Sequence, residues 1–166
     1  MDYLQALDAV RRRHGNPLAA GSATEHEALD HFRAFFATFS PNKVDRLLEA
    51  TYAEDVWFND TLKTIEGRAA LAPYLRESAE AVEVCRVEVH EICGNRDGDY
   101  YARWSMMIRF RRFHRGRDTH SVGMSHLRFD EAGRVVLHQD FWNAADALYQ
   151  YVPVLGAGIR AIKRRF

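Results

Sequence analysis

Near residue 82 the hydrophobic period of this chain changes from that of helices to that of strands, and few folds accept that order. Before the change, Leu29, Phe32, Phe36 and Phe39 fall near one helical face, with Phe35 widening it. Ser40-Pro41-Asn42 stops that helix, and Val44, Leu47, Leu48 and Tyr52 mark a shorter second one. Gly67 opens a third, running to about residue 81. After the change come valines at 82, 84, 87 and 89, a turn by composition at 94–99, and a strand over 100–113 with Trp104, Met106, Ile108 and Phe110 on one face. Arg115-Gly116-Arg117-Asp118 turns the chain into a strand over 119–129, and Asp130-Glu131-Ala132-Gly133 turns it again into 135–142. Consecutive strands on short turns pair antiparallel, and helices gathered ahead of them predict an α+β domain.

The ends are simpler. Residues 1–13 read as a helix broken by Gly15-Asn16-Pro17, and 18–23 as a linker of mostly small residues, so 1–23 is expected to be a loose N-terminal extension. Thr24, with Glu27 three positions on, is the expected N-cap of the first domain helix. The domain is assigned to 24–150. A basic helical tail follows at 151–166, the helical pattern of 144–166 falling in two pieces around Pro153 and Gly156.

Lys plus Arg and Asp plus Glu both number 23, so no net field favours nucleic acid or a membrane surface. The arginines at 109, 111, 112, 115 and 117 read as a solvated strand end without an RNA-binding aromatic signature beside them. Cys85 and Cys93, on one expected strand, are separated by roughly 26 Å, beyond disulfide reach. Free thiols and the lack of an apolar run of membrane-spanning length predict a cytoplasmic protein. The eight histidines show no helical metal-ligand spacing, and neither a nucleophile elbow nor a phosphate-cradling glycine loop is present, so no metal and no cofactor is expected.

Two carboxylates stand out. The stretch Tyr52-Ala53-Glu54-Asp55-Val56-Trp57-Phe58-Asn59-Asp60 delivers Asp60 to a strand tip, where it either caps a turn or serves chemistry. In the last strand Val136, His138, Asp140 and Trp142 share a face by alternation. A two-residue loop at Glu131-Ala132 places Ser125 opposite His138 and Gly123 opposite Asp140, leaving open space beside that carboxylate. A one-residue bulge instead pairs His126 with His138 and Met124 with Asp140. The first register puts Ser125, His138 and Asp140 on one side. His138 and Asp140 also fit a structural pair bracing the sheet, and His126 an outward face at a dimer seam.

The order of elements resembles the nuclear transport factor 2-like superfamily, a cone of N-terminal helices packed on a strongly bent antiparallel sheet. Two segments carry the resemblance: 52–60 followed by Gly67-Arg68, and the hairpin Ser125-His126-Leu127-Arg128-Phe129-Asp130-Glu131-Ala132-Gly133-Arg134-Val135. In the ketosteroid isomerases of this superfamily an aspartate moves the proton while a tyrosine and a protonated carboxylic acid hold the enolate oxygen. Asp60 falls on the base position, but Phe36 and Ser125 fall on the two donor positions and Thr61 on a common proline. The resemblance therefore implies that the steroid isomerase mechanism is absent. SnoaL-like cyclases use an aspartate of the late strand assisted by a histidine, which implies Asp140 with either His138 or His126. The implied function is cofactor-free acid/base chemistry of isomerase, cyclase or dehydratase type on a small apolar cyclic ligand. Asp60, Asp140 and His138 are the catalytic candidates, and Phe36, Tyr52, Phe58, Trp104, Met106, Ser125 and Trp142 the ligand contacts. A homodimer through the sheet is expected; a binding-only or protein-interaction domain on the same fold is the alternative.

Overall fold

Helix starts and stops follow local chemistry. The computed structural model of the chain describes residues 1–112, 116–151 and 155–165, so Pro153 and the strand end at Phe113 lie outside the described residues. Helix α1 (Tyr3–Arg13) opens with a capping box between Asp2 and Gln5. Helix α2 (Ala23–Ala37) is capped by Ser22, not Thr24: Ser22 Oγ accepts the Glu25 amide at 3.1 Å, and Glu25 accepts the Gly21 amide at 2.6 Å. Pro41 occupies the first turn of α3 (Pro41–Thr51), where its missing N–H is not needed. The chain then enters β1 (Tyr52–Asn59), so Tyr52 begins a strand rather than ending a helix. A short β2 (Thr64–Glu66) and α4 (Arg68–Glu80) follow, then β3 (Val82–Gly94), β4 (Tyr100–Phe110), β5 (Thr119–Phe129) and β6 (Val135–Trp142). After them come α5 (Ala144–Ala147), a 3-10 turn at Tyr149–Tyr151 and α6 (Leu155–Lys163).

The six strands form one curved sheet in the order β2-β1-β6-β5-β4-β3. The strands of the second half pair antiparallel, while β1 lies parallel to β6, with Phe58 beside His138. Bulges in the β3–β4, β5–β6 and β1–β6 ladders bend the sheet.

The β5–β6 register differs from the expected one by two residues. Asp130 N–H bonds Arg134 O and Gly133 N–H bonds Asp130 O, closing a turn with Gly133 at φ 78°, so Phe129 pairs with Val135. A second irregularity follows, and Arg128 pairs with Leu137. The two slips add, setting Ser125 opposite Asp140, Leu127 opposite His138 and Gly123 opposite Trp142. An even slip leaves every side chain on its face, so Ser125, His138 and Asp140 still point together.

Helices α2 to α4 cover the inner face of the sheet, burying Phe32, Phe35, Tyr52, Leu71 and Leu127. The first 23 residues are not a loose extension. Ala6, Leu7 and Val10 of α1 pack on Ala53, Trp57, Val136 and Leu137 of the outer face. Behind them Asp99, 1% exposed, accepts Arg11 at 2.6 Å, Arg128 at 2.5 Å and His126 at 3.1 Å, and His126 Nδ1 meets the Tyr3 hydroxyl at 2.8 Å. His126 therefore faces outward but under α1, at 1% exposure, rather than at a dimer seam.

Candidate functional site

Between the helices and the inner sheet face lies a cavity of about 340 Å³. Its wall includes Phe36, Phe58, Asp60, Trp104, Met106, Ser125, His138, Asp140 and Trp142, all but one of the expected site residues. The exception is Tyr52, which is fully buried behind His138 and does not line the space. The wall also includes Tyr74 of α4, Phe32 of α2, and Phe39 and Leu62 from the connections, none of them among the expected site residues. Tyr74 had a usable signal: it stands one turn after Leu71 and one before Ser78 on the helix face that meets the sheet.

Five side chains form one hydrogen-bonded chain ending at the cavity. Trp104 Nε1–H donates to Ser125 Oγ at 2.9 Å, and Ser125 O–H donates to Asp140 Oδ1 at 2.5 Å. His138 Nε2 lies 2.8 Å from the same Oδ1, and His138 Nδ1 lies 2.8 Å from the Tyr52 hydroxyl. A neutral imidazole satisfies both contacts, with Nε2–H donating to the carboxylate and Nδ1 accepting from Tyr52. Burial, reinforced by the Asp140 charge, raises the Tyr52 phenol well above its usual pKa, so it remains a donor. Phe32, Phe36 and Phe58 meet the His138 ring edge-on at 5.0–5.8 Å between centroids and fix its plane. Ser125, 1% exposed, is committed to Trp104 and Asp140, so its hydrogen bond goes to the carboxylate rather than outward.

Gly123 explains the tryptophan. It pairs with Trp104 on β4 and Trp142 on β6, and the Trp104 indole fills the place a side chain would take. The space expected beside the carboxylate is thus occupied by the ring that orients Ser125. A Cβ at 123 would overlap that ring and sit 2.9 Å from Trp142 Cβ. Gly123→Ala should lower stability by about 1–3 kcal/mol in urea unfolding, the range for overpacking, and perturb the fluorescence of both tryptophans.

Asp60 is held differently. Its Oδ1 accepts the amides of Leu62 at 3.0 Å and Lys63 at 2.9 Å, while Asn59 Oδ1 accepts that of Thr61 at 2.8 Å. This capture of three donors holds Thr61 at φ 71°, a left-handed conformation that a β-branched residue rarely adopts. Tyr74 O–H donates to Asp60 Oδ2, and Trp142 Nε1–H to Asp60 O at 2.7 Å. Burial and then the Asp60 hydrogen bond raise the Tyr74 phenol, keeping it protonated. Thr61→Gly should relieve the strain and add about 1 kcal/mol of stability, read by urea unfolding. The two candidate carboxylates thus share one cavity, Asp60 doubling as the cap of its own turn. Among the described residues, no group of three His, Cys, Asp or Glu is arranged to hold a metal ion, and no helix is long and apolar enough to cross a membrane.

Helices packed inside a curved six-stranded sheet, with a cavity between, define the nuclear transport factor 2-like fold. The family model of the SnoaL-like domain matches residues 9–138, and the chain belongs to that family. Among solved structures, an LEH-like epoxide hydrolase of M. tuberculosis is 17% identical, with a TM-score of 0.60 over 86% of this chain and 98% of its own. TsrD of Streptomyces laurentii is 16% identical, with a TM-score of 0.62 over 84% and 99%. A Catenulispora acidiphila protein with a ketosteroid isomerase-like fold, solved with trimethylamine, is 14% identical, with a TM-score of 0.62 over 74% and 89%. These likenesses concern the fold. No curated protein sequence matches the chain.

Proposed function

We propose that the protein is a cofactor-free acid/base enzyme of isomerase, cyclase or dehydratase type, acting on a small apolar cyclic ligand. The observation that carries this reading is the Tyr52–His138–Asp140–Ser125–Trp104 chain, which aims a carboxylate into a largely apolar cavity. Both of its hydrogen bonds from the described residues fall on Oδ1, which leaves Oδ2 for a substrate proton. Asp140 is the base, His138 and Ser125 hold it, and Asp60 with Tyr74 forms a second polar point across the ligand. Phe36, Phe58, Trp104, Met106 and Trp142 supply the apolar contacts.

The test is incubation with a panel of cyclic ketones, hydroxylated rings and epoxides in deuterated water. Deuterium uptake at carbon or product formation in at least one, absent in Asp140→Asn, is the expected result. Ligands that bind without exchange or turnover across the whole panel would reassign the cavity to binding alone.

The chain also pairs with a second copy through the outer face of the sheet. Tyr101, Val122, Met124 and Phe141 stand 40–72% exposed on that face beside α1, an apolar group that a partner surface would cover. Sedimentation velocity should give a dimer, and Val122→Glu a monomer; a monomeric native protein refutes the pairing. The free thiols of Cys85 and Cys93 fit a reducing, cytoplasmic setting.

A further inference from the structure

We propose that the cavity selects a cationic ligand, an amine or quaternary ammonium carried on an apolar ring. The proposal names the substrate class of the site described above and rests on that cavity being where the ligand binds.

The charges of the wall carry the inference. Asp60 and Asp140 both line the cavity, and among its described lining residues there is no lysine or arginine. Among the described residues, every hydrogen bond to their carboxyl oxygens is one that a carboxylate accepts: from Ser125 and His138 at Asp140, and from Tyr74 and two backbone amides at Asp60. None of these donors is a lysine or arginine side chain, and a protonated His138 would balance only one of the two carboxylates. Lys63 lies nearest in sequence, its Nζ 5.2 Å from the Tyr74 ring centroid, but it is exposed and outside the wall. The same chain treats its most deeply buried aspartate oppositely. Asp99 receives two arginines, Arg11 and Arg128, as ion-pair partners. Two carboxylates facing one apolar space without such partners leave the counter-charge to the ligand.

The rest of the wall favours a cation too. Rings of Phe32, Phe36, Phe39, Phe58, Trp104 and Trp142 surround the space. Aromatic faces carry partial negative charge and attract an ammonium group, most strongly where water is excluded. An anionic ligand would meet two carboxylates and these faces with no compensating charge. A neutral ring would gain only the apolar contact.

The experiment separates charge from shape. Binding of phenyltrimethylammonium, its neutral isostere tert-butylbenzene and the anion 4-tert-butylbenzoate is measured on the intact protein by quenching of tryptophan fluorescence. The ammonium probe should bind roughly tenfold or more tightly than tert-butylbenzene, and the benzoate most weakly. In Asp60→Asn and Asp140→Asn the ammonium preference should shrink while tert-butylbenzene binding holds; if either variant fails to fold, the native ratio alone decides. Equal or tighter binding of tert-butylbenzene overturns the cation proposal but leaves the acid/base reading intact, since the cavity still takes a ring. Binding of none of the three overturns both.

Discussion

On the proposed acid/base reading, asparagine in place of Asp140 should lower turnover by about 10²–10⁴-fold, the usual contribution of one positioned proton acceptor. The substitution preserves shape. The amide oxygen can still accept from Ser125 and His138, the two groups that meet Oδ1, so the chain from Trp104 to Tyr52 survives and the protein stays folded. What is lost is an atom that can take a proton, because the amide nitrogen facing the cavity is a donor only. The fall should appear in kcat and kcat/KM together, the pattern of an interaction made only in the transition state. His138→Gln should do less: Ser125 still fixes the carboxylate, and His138, 1% exposed and hydrogen-bonded to Asp140, would on that reading hold the proposed base rather than take the proton itself. A His138→Gln variant as inactive as Asp140→Asn would shift the proton-accepting role to the imidazole.

Much of this site was legible because alternation along a strand is a strong signal and survives errors of register. His138, Asp140 and Trp142 share a face wherever the hairpin slips, and the observed slip of two residues kept Ser125 with them. The partner across the ladder was not legible. The turn with Gly133 in the left-handed region and the irregularity after it each insert one residue, and neither has a mark beyond the glycine itself. Contacts distant in sequence were hidden for the same reason. Tyr52 reads as the end of a helical stripe, but reaches His138 because β1 lies parallel to β6, 86 residues away. Tyr74 reads as one more apolar position of α4, and only the turn after β1 brings Asp60 to it. The least legible feature was where α1 packs, since the helix itself was expected over residues 1–13. Its short amphipathic pattern gives no hint of the outer sheet face that Ala6, Leu7 and Val10 cover, nor of the carboxylate that Arg11 seeks.

That carboxylate supports the largest expected effect on stability. Asp99→Ala should cost about 3–5 kcal/mol, the range for breaking a buried ion pair from one side. Asp99 is 1% exposed and serves Arg128, Arg11 and His126 at once. Without it Arg128, only 3% exposed, retains a hydrogen bond to Asp97 O but, among the described residues, no counter-ion, and none of them partners its Nε even now. The midpoint of thermal unfolding should fall by roughly 6–20 °C for a chain of this length. Acid should act on the same network. Burial alone would raise the Asp99 pKa, but hydrogen bonds from Arg128, Arg11 and His126 outweigh it and hold the carboxyl at about 2. Its folded value thus lies below the unfolded value of about 3.9, so the contribution is complete above that pH and disappears as pH falls toward 2. The native protein should lose stability steeply over that window in urea titrations, and Asp99→Ala should lack that part of the slope. Replacing both partners, Asp99→Leu with Arg128→Met, should recover more than half of the loss, because no buried charge is then left alone. A double variant as unstable as the single one would mean that packing around Asp99, and not the stranded arginine, sets the cost.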